Sequence, residues 1–272
     1  MSREQKVIKY LSYALAFGII LSIVMGITSV IISISGLINI NQNNESIGKE
    51  MQTLTCSGII NLTNLKIDLS YSDLKIVSSD KFEIKTNDSN ITCSSNNDIL
   101  IIKDKNRVIK TKHSSVEVSL PNNYRFDYID INTAAGRLTA DELYTDKLNL
   151  KLGAGQTIIK TLNANNANIS GGVGALNIQD GIVNNIDLDI GVGASNIKLK
   201  VIDYGTFEGG IGKVNLELIG SLEEYKIELN KGIGKCYVAR NELKDNETIG
   251  SGQSKIILNG GIGEMNVNFI GE

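Results

Sequence analysis

Two glycine triplets, Gly172-Val173-Gly174 and Gly191-Val192-Gly193, lie within the stretch GGVGALNIQDGIVNNIDLDIGVGASNIKLK, and triplets of this kind carry three different chemistries. They cradle a phosphate, open a calcium-binding repeat, or turn a corner of the backbone. A dinucleotide site needs G-x-G-x-x-G between a strand and a helix, but Gly174 is followed by Ala175-Leu176-Asn177 with no helical pattern after it. The segment GSGQSK, Gly250 to Lys255, lacks the spacing of a phosphate loop. A calcium-binding roll needs an Asp in G-G-x-G-x-D. That position holds Leu176 after Gly171, Val214 after Gly209 and Met265 after Gly260, so the carboxylate oxygens are missing. The corner remains.

Other reactive residues are few. His113 is the only histidine and lies beside Lys110 and Lys112 in KTKHSSVEV, which reads as a surface position beside a strand. Asp187 and Asp189 alternate with Leu188 and Ile190 and so read as the outer face of a strand. Only Arg137 and Arg240 fall in the glycine-bearing region, too few for a lyase or hydrolase groove built from carboxylates and arginine. Cys56, Cys93 and Cys236 have no metal-ligand spacing; they read as small buried side chains, with a Cys56–Cys93 disulfide as the alternative. No catalytic residue, cofactor or metal site is expected. The net charge of −3 is spread along the chain, which argues against nucleic acid.

The elements that carry the glycines repeat. Gly-x-Gly units start at Gly153, Gly172, Gly191 and Gly210, each 19 residues after the last, and two more start at Gly232 and Gly261 after intervals of 22 and 29. The predicted corners are therefore Gly153, Gly155, Gly172, Gly174, Gly191, Gly193, Gly210, Gly212, Gly232, Gly234, Gly261 and Gly263. The seventh position of the unit reads Ala140, Ile159, Ile178, Ile197, Leu216, Val238 and Val267. A second apolar column reads Leu150, Ile169, Leu188, Phe207 and Ile227. Stacked aliphatic columns at a fixed period predict an all-β fold, a single-stranded β-helix-like β-solenoid with about 19 residues per coil. Two strands per coil would face each other across a narrow core, in a domain spanning 58–272. Its last edge, around Val267 to Phe269, would be open to another chain.

Ahead of the domain, residues 11–38 hold no charge and are long enough to cross a bilayer. Arg3, Lys6 and Lys9 precede them, which predicts one N-terminal transmembrane α-helix with residues 1–10 in the cytoplasm and the rest exported to the cell-envelope side. A cleaved signal peptide is the rival, disfavoured by the length of the apolar run. Ala14, Gly18, Ser22 and Gly26 recur every fourth residue, a small-residue face suited to helix packing. Residues 39–57 are polar and read as a spacer.

Strand pairs such as SDLKIVSSDKFEIKTNDSNITCSSNNDILIIKDK, then VEVSLPNNYRFDYIDINTAAGRL with the single Pro121, then the glycine-punctuated repeats, resemble the bacterial domain family labelled "putative adhesin". The resemblance covers roughly Ile59 to Phe269. It implies a membrane-anchored ectodomain without catalytic residues that binds an envelope protein or glycan, with the bilayer as its other partner. Two further readings go with it: an accessory of envelope stress signalling acting through a membrane partner, and a carbohydrate-active β-helix enzyme. Self-association through the membrane helix or the terminal coil is the remaining expectation.

Overall fold

The computed structural model describes residues 50–56, 62–96, 98–105 and 114–271. The predicted tail, membrane helix and helix-packing face (Ala14, Gly18, Ser22, Gly26) lie outside the described residues, as do His113 and the first part of the spacer. Among the described residues no helix is long and apolar enough to cross a membrane.

The described chain is all-β apart from one 3-10 turn, Leu222–Glu224, and its fifteen strands join in one mixed sheet. In chain order they are β1 (Gln52–Thr53), β2 (Asn64–Ser79), β3 (Glu83–Thr86), β4 (Ile91–Asn96), β5 (Ile99–Asp104), β6 (Ser114–Pro121) and β7 (Arg125–Ser170). There follow β8 (Val173–Ile178), β9 (Gly181–Ile219), β10 (Tyr225–Asn230), β11 (Ile233–Val238) and β12 (Asn241–Glu242). The last three are β13 (Thr248–Ile249), β14 (Ser254–Asn259) and β15 (Ile262–Ile270).

The 19-residue period appears directly in the register. Ala154 pairs in parallel with Val173, Val173 with Val192, and Leu162 with Gly181, so the chain returns to the same place one coil later. Every member of the two apolar columns is buried, from Ala140 and Leu150 near one end to Val267 and Ile227 near the other. The coil has three sides, not the two facing sheets expected. Buried pairs occur at Leu138/Ala140, Leu143/Thr145 and Leu148/Leu150, and again at Thr157/Ile159, Leu162/Ala164 and Ala167/Ile169. Between the pairs stand two outward residues in a row, Lys160-Thr161 and Asn165-Asn166. Such a break in alternation switches which residue parity faces inward, and the coil bends there.

Both ends depart from simple stacking. β15 pairs with β9 on one side and β11 on the other, and β14 lies between β9 and β10 in the same way. The last segment of the chain is thus threaded between two coils that precede it. The unit starting at Gly261 is the inner neighbour of the Gly210 unit, and the Gly232 unit is outermost. The opposite end mirrors this: β2 is sandwiched between β7 and the later strands β5 and β6. Val267 is therefore interior and only Asn268 to Ile270 pair on one side alone, with β9; the outermost coil is Tyr225–Val238, itself partly covered by antiparallel β13 and β12. Antiparallel β4 and β3 cover the other end, and β1 pairs with β3. Short antiparallel strands of this kind block runaway edge pairing.

Residues 52–56 do not behave as spacer. Leu54 donates its N–H to the Ile84 carbonyl at 2.8 Å, and Cys56 is bonded to Cys93 with Cα atoms 5.3 Å apart. The pairing replaces the two buried thiols favoured from the sequence, because β1 brings Cys56 back over the first coil. Cys236 is the free, buried cysteine.

Candidate functional site

The corner glycines sit backbone against backbone. A Cβ on Gly153, Gly172 or Gly210 would lie 1.8 Å from a carbonyl oxygen of the preceding coil, and on Gly191 2.0 Å. The second glycines Gly155, Gly174, Gly193, Gly212 and Gly263 have φ between +138° and +146°, where side chains are strained. In the last coils, Gly232, Gly234 and Gly261 come within 2.0 Å of a neighbouring carbonyl oxygen by the same measure. Two clefts along these corners have volumes of about 20 and 30 Å³, room for a water or two. Glycine here lets successive coils close on each other, and no phosphate-sized space is left.

Larger spaces lie on the sides. On one of them Lys147, Asn166, Asn185 and Tyr204 follow each other at one-coil intervals, with Asn168, Asp187 and Thr206 in the next column along. Together they line a shallow groove of about 410 Å³. Hydrogen bonds running from coil to coil hold these polar columns in place. Asn185 Nδ2 donates to Asn166 Oδ1 at 3.3 Å, and Asn149 Nδ2 to Asp130 Oδ1 at 2.7 Å in the column that continues through Asn168. Thr206 Oγ1 donates to the Tyr204 hydroxyl at 3.2 Å. Amides, a carboxylate, an ammonium and a phenol ring on a preordered sheet can hydrogen-bond a polar polymer and stack on its apolar faces.

Asp187 takes part in this groove, while the Asp189 carbonyl accepts the Gly171 N–H at 2.6 Å and belongs to the corner. The groove itself escapes a linear reading, since its residues come from four coils. The signal was present as a second use of the 19-residue period: Lys147, Asn166, Asn185 and Tyr204 are its outward column.

The other reactive side chains do not converge. Arg137 stands on the coil beside β2, where its N–H donates to Asp73 Oδ1 at 2.8 Å, whereas Arg240 has φ 68° in the turn after the outermost coil. Arg125 is paired with Asp146 and lies over the Tyr144 ring, 5.0 Å from its centroid. Burial pushes the Cys236 thiol up to about 11, which keeps it protonated and unreactive at neutral pH. Burial likewise raises the Tyr225 hydroxyl to about 12, and it donates to the Ile219 carbonyl at 2.6 Å. Among the described residues no three His, Cys, Asp or Glu side chains gather as metal ligands.

Comparison with known proteins agrees with this architecture. A search of curated proteins by sequence finds no match. Among solved structures, a putative adhesin from Bacteroides fragilis aligns with a TM-score of 0.50 at 14% identity, over 80% of this chain and 97% of that one. A putative adhesin from Parabacteroides distasonis aligns with a TM-score of 0.44 at 15% identity, over 82% and 98% of the two chains. At these identities the first likeness speaks to the fold alone. The sequence profile of the toastrack DUF4097 domain matches residues 63–233, most of the coiled region, and the chain belongs to that family.

Proposed function

We propose that this protein is a single-pass, membrane-anchored, non-enzymatic β-solenoid. It displays its domain outside the cytoplasm and binds a protein or cell-envelope polymer along a side face, in the manner of an adhesin. The observation that carries the reading is the groove over Lys147, Asn166, Asn168, Asn185, Asp187, Tyr204 and Thr206, a polar surface repeated coil by coil on a rigid sheet. An extended ligand laid across the coils would meet a polar side chain on each rung, at the strand spacing of about 4.8 Å. The Cys56–Cys93 disulfide supports export, since such bonds persist in oxidising compartments. The uncharged run at 11–38 supports an anchor.

The test is affinity capture from intact cells and binding to purified cell-wall polymers by the parent chain and by a Tyr204→Ala/Asn185→Ala variant. The expected result is retention of the parent and loss of retention by the variant with the fold unchanged. Depolymerisation of the glycan by the purified protein would overturn the non-enzymatic reading, and equal retention of both chains would overturn the groove.

A further inference from the structure

The side chains around the groove discriminate between kinds of polymer. Its aromatic end is Tyr204, 39% exposed, and the hydroxyl accepts from Thr206 Oγ1 at 3.2 Å, which ties the ring along its own strand. Ile202, Asp203 and Tyr204 face outward in succession, so Asp203 flanks the ring on the same coil. Asp187 stands one coil back, in the Thr206 column. Neither carboxylate makes an ion pair among the described residues.

The ammonium groups nearby are engaged elsewhere. Lys255, beside Tyr204 on the next rung, holds Glu228 Oε2 at 2.9 Å, and Lys226 shares the same carboxylate at 3.1 Å. Lys147, three coils away, lies over the Tyr128 ring, 5.9 Å from its centroid. The field at the exposed ring is therefore set by carboxylates. They repel an anionic group placed there and accept hydrogen bonds from hydroxyls.

Between Tyr204 and Lys147 the rungs carry amides. Asn185 Nδ2 is spent on Asn166 Oδ1, which leaves the Asn185 carbonyl and the Asn166 amide hydrogens to a ligand. Asn168 makes no side-chain hydrogen bond among the described residues. Donors and acceptors thus lie side by side at intervals of about 4.8 Å, and a hydroxyl, which donates, accepts and rotates, can satisfy either. A protein partner would need apolar anchors to bury, and Tyr204 is the only outward residue lining the groove that offers one.

We infer that the groove takes a neutral, hydroxyl-rich glycan laid across the coils, with a sugar ring stacked on Tyr204, and that it excludes acidic polymers. The run from Lys147 to Tyr204, about 14 Å, seats a few sugar rings. The inference rests on the side-face reading proposed above and adds the class of ligand to it.

The test is retention of the full-length chain, in mild detergent, on envelope polymers of the cells that make it, separated by anion exchange into a neutral and an anionic fraction. The neutral fraction should retain the chain with less than about a twofold change on adding salt, and periodate cleavage of its diols should abolish retention. Tyr204→Ala should weaken retention at least about tenfold and Tyr204→Phe less than about threefold, because the ring carries the stacking. Asp187→Lys combined with Asp203→Lys should extend retention to the anionic fraction. Retention of the parent on the anionic fraction alone, or on neither, overturns the inference. If the Tyr204→Ala/Asn185→Ala variant then loses retention on the anionic fraction, the groove itself stands. Equal loss in Tyr204→Phe and Tyr204→Ala, or retention that resists periodate but not protease, also overturns the glycan. A Tyr204→Ala/Asn185→Ala variant retained as well as its parent sinks the groove reading instead.

Discussion

Replacing Gly193 by Ala tests whether the corners are held by backbone contact. Gly193 has φ +139°, and an added Cβ would lie 1.8 Å from the Gly174 carbonyl oxygen and 2.8 Å from its carbon. Holding a non-glycine residue at that φ costs about 2 kcal/mol. The overlap is with main chain on the next coil, so no side chain can swing aside. Relief requires the two coils to part locally, at the expense of about two inter-coil hydrogen bonds worth ~1 kcal/mol each. The sum is about 4 kcal/mol, a large share of the roughly 5–15 kcal/mol of a typical domain. In urea, with a slope of about 3 kcal/mol/M, the midpoint should fall by about 1.3 M. The measurement is equilibrium unfolding of the purified chain in mild detergent by far-UV circular dichroism. Val192→Ala, one residue away and outward-facing, is the control and should cost under about 1 kcal/mol. A Gly193→Ala variant within 1 kcal/mol of its parent would refute the packing argument.

The remaining predictions concern the two ends. Opening the Cys56–Cys93 bond, which spans 37 residues, should cost up to about 4 kcal/mol by loop entropy; a Cys56→Ser/Cys93→Ser variant compared with the parent by urea unfolding would measure it, and an unchanged midpoint would count against a native disulfide. Deleting residues 251–272 removes β14 and β15 from between β9 and the outermost coil. The freed coil could then dock on the Gly210 unit, so the order is read in the full-length chain: Met265→Cys, the neighbour of Cys236, should form an intrachain disulfide with it, whereas a disulfide between Cys236 and Val214→Cys would show the coils stacked in chain order.

Much of this architecture was readable residue by residue. Ile178, Ile197 and Leu216 recur at a fixed interval because each coil can bury its aliphatic side chains only against its neighbours, and the structure buries all of them. The missing Asp at Leu176, Val214 and Met265 removed calcium as a reading before any coordinates. What failed did so for nameable reasons. Leu54 and Cys56 sit in a polar stretch without period, so nothing local shows that β1 pairs with β3. One inward pair per side and three sides per coil differ from a two-sided coil only by outward doublets such as Asn165-Asn166, which the two apolar columns do not reveal. The groove draws Lys147, Asn166, Asn185 and Tyr204 from separate coils, and none of them is unusual alone.

The chain by itself determined period, corner chemistry and core, because those depend on which residue types recur and how far apart. It also determined which chemistries lack their residues. Tertiary structure alone decided the order of the coils. The units at Gly232 and Gly261 present the same glycines and the same apolar positions, so either could dock on the Gly210 unit. The outcome depends on what the links allow: Ser221 and the turn at Leu222–Glu224, where the Ser221 N–H meets Glu224 Oε1 at 2.9 Å, carry the chain past one level, and β14 and β15 fill the vacancy. A pairing preference shared by two identical motifs cannot be ranked by local pattern.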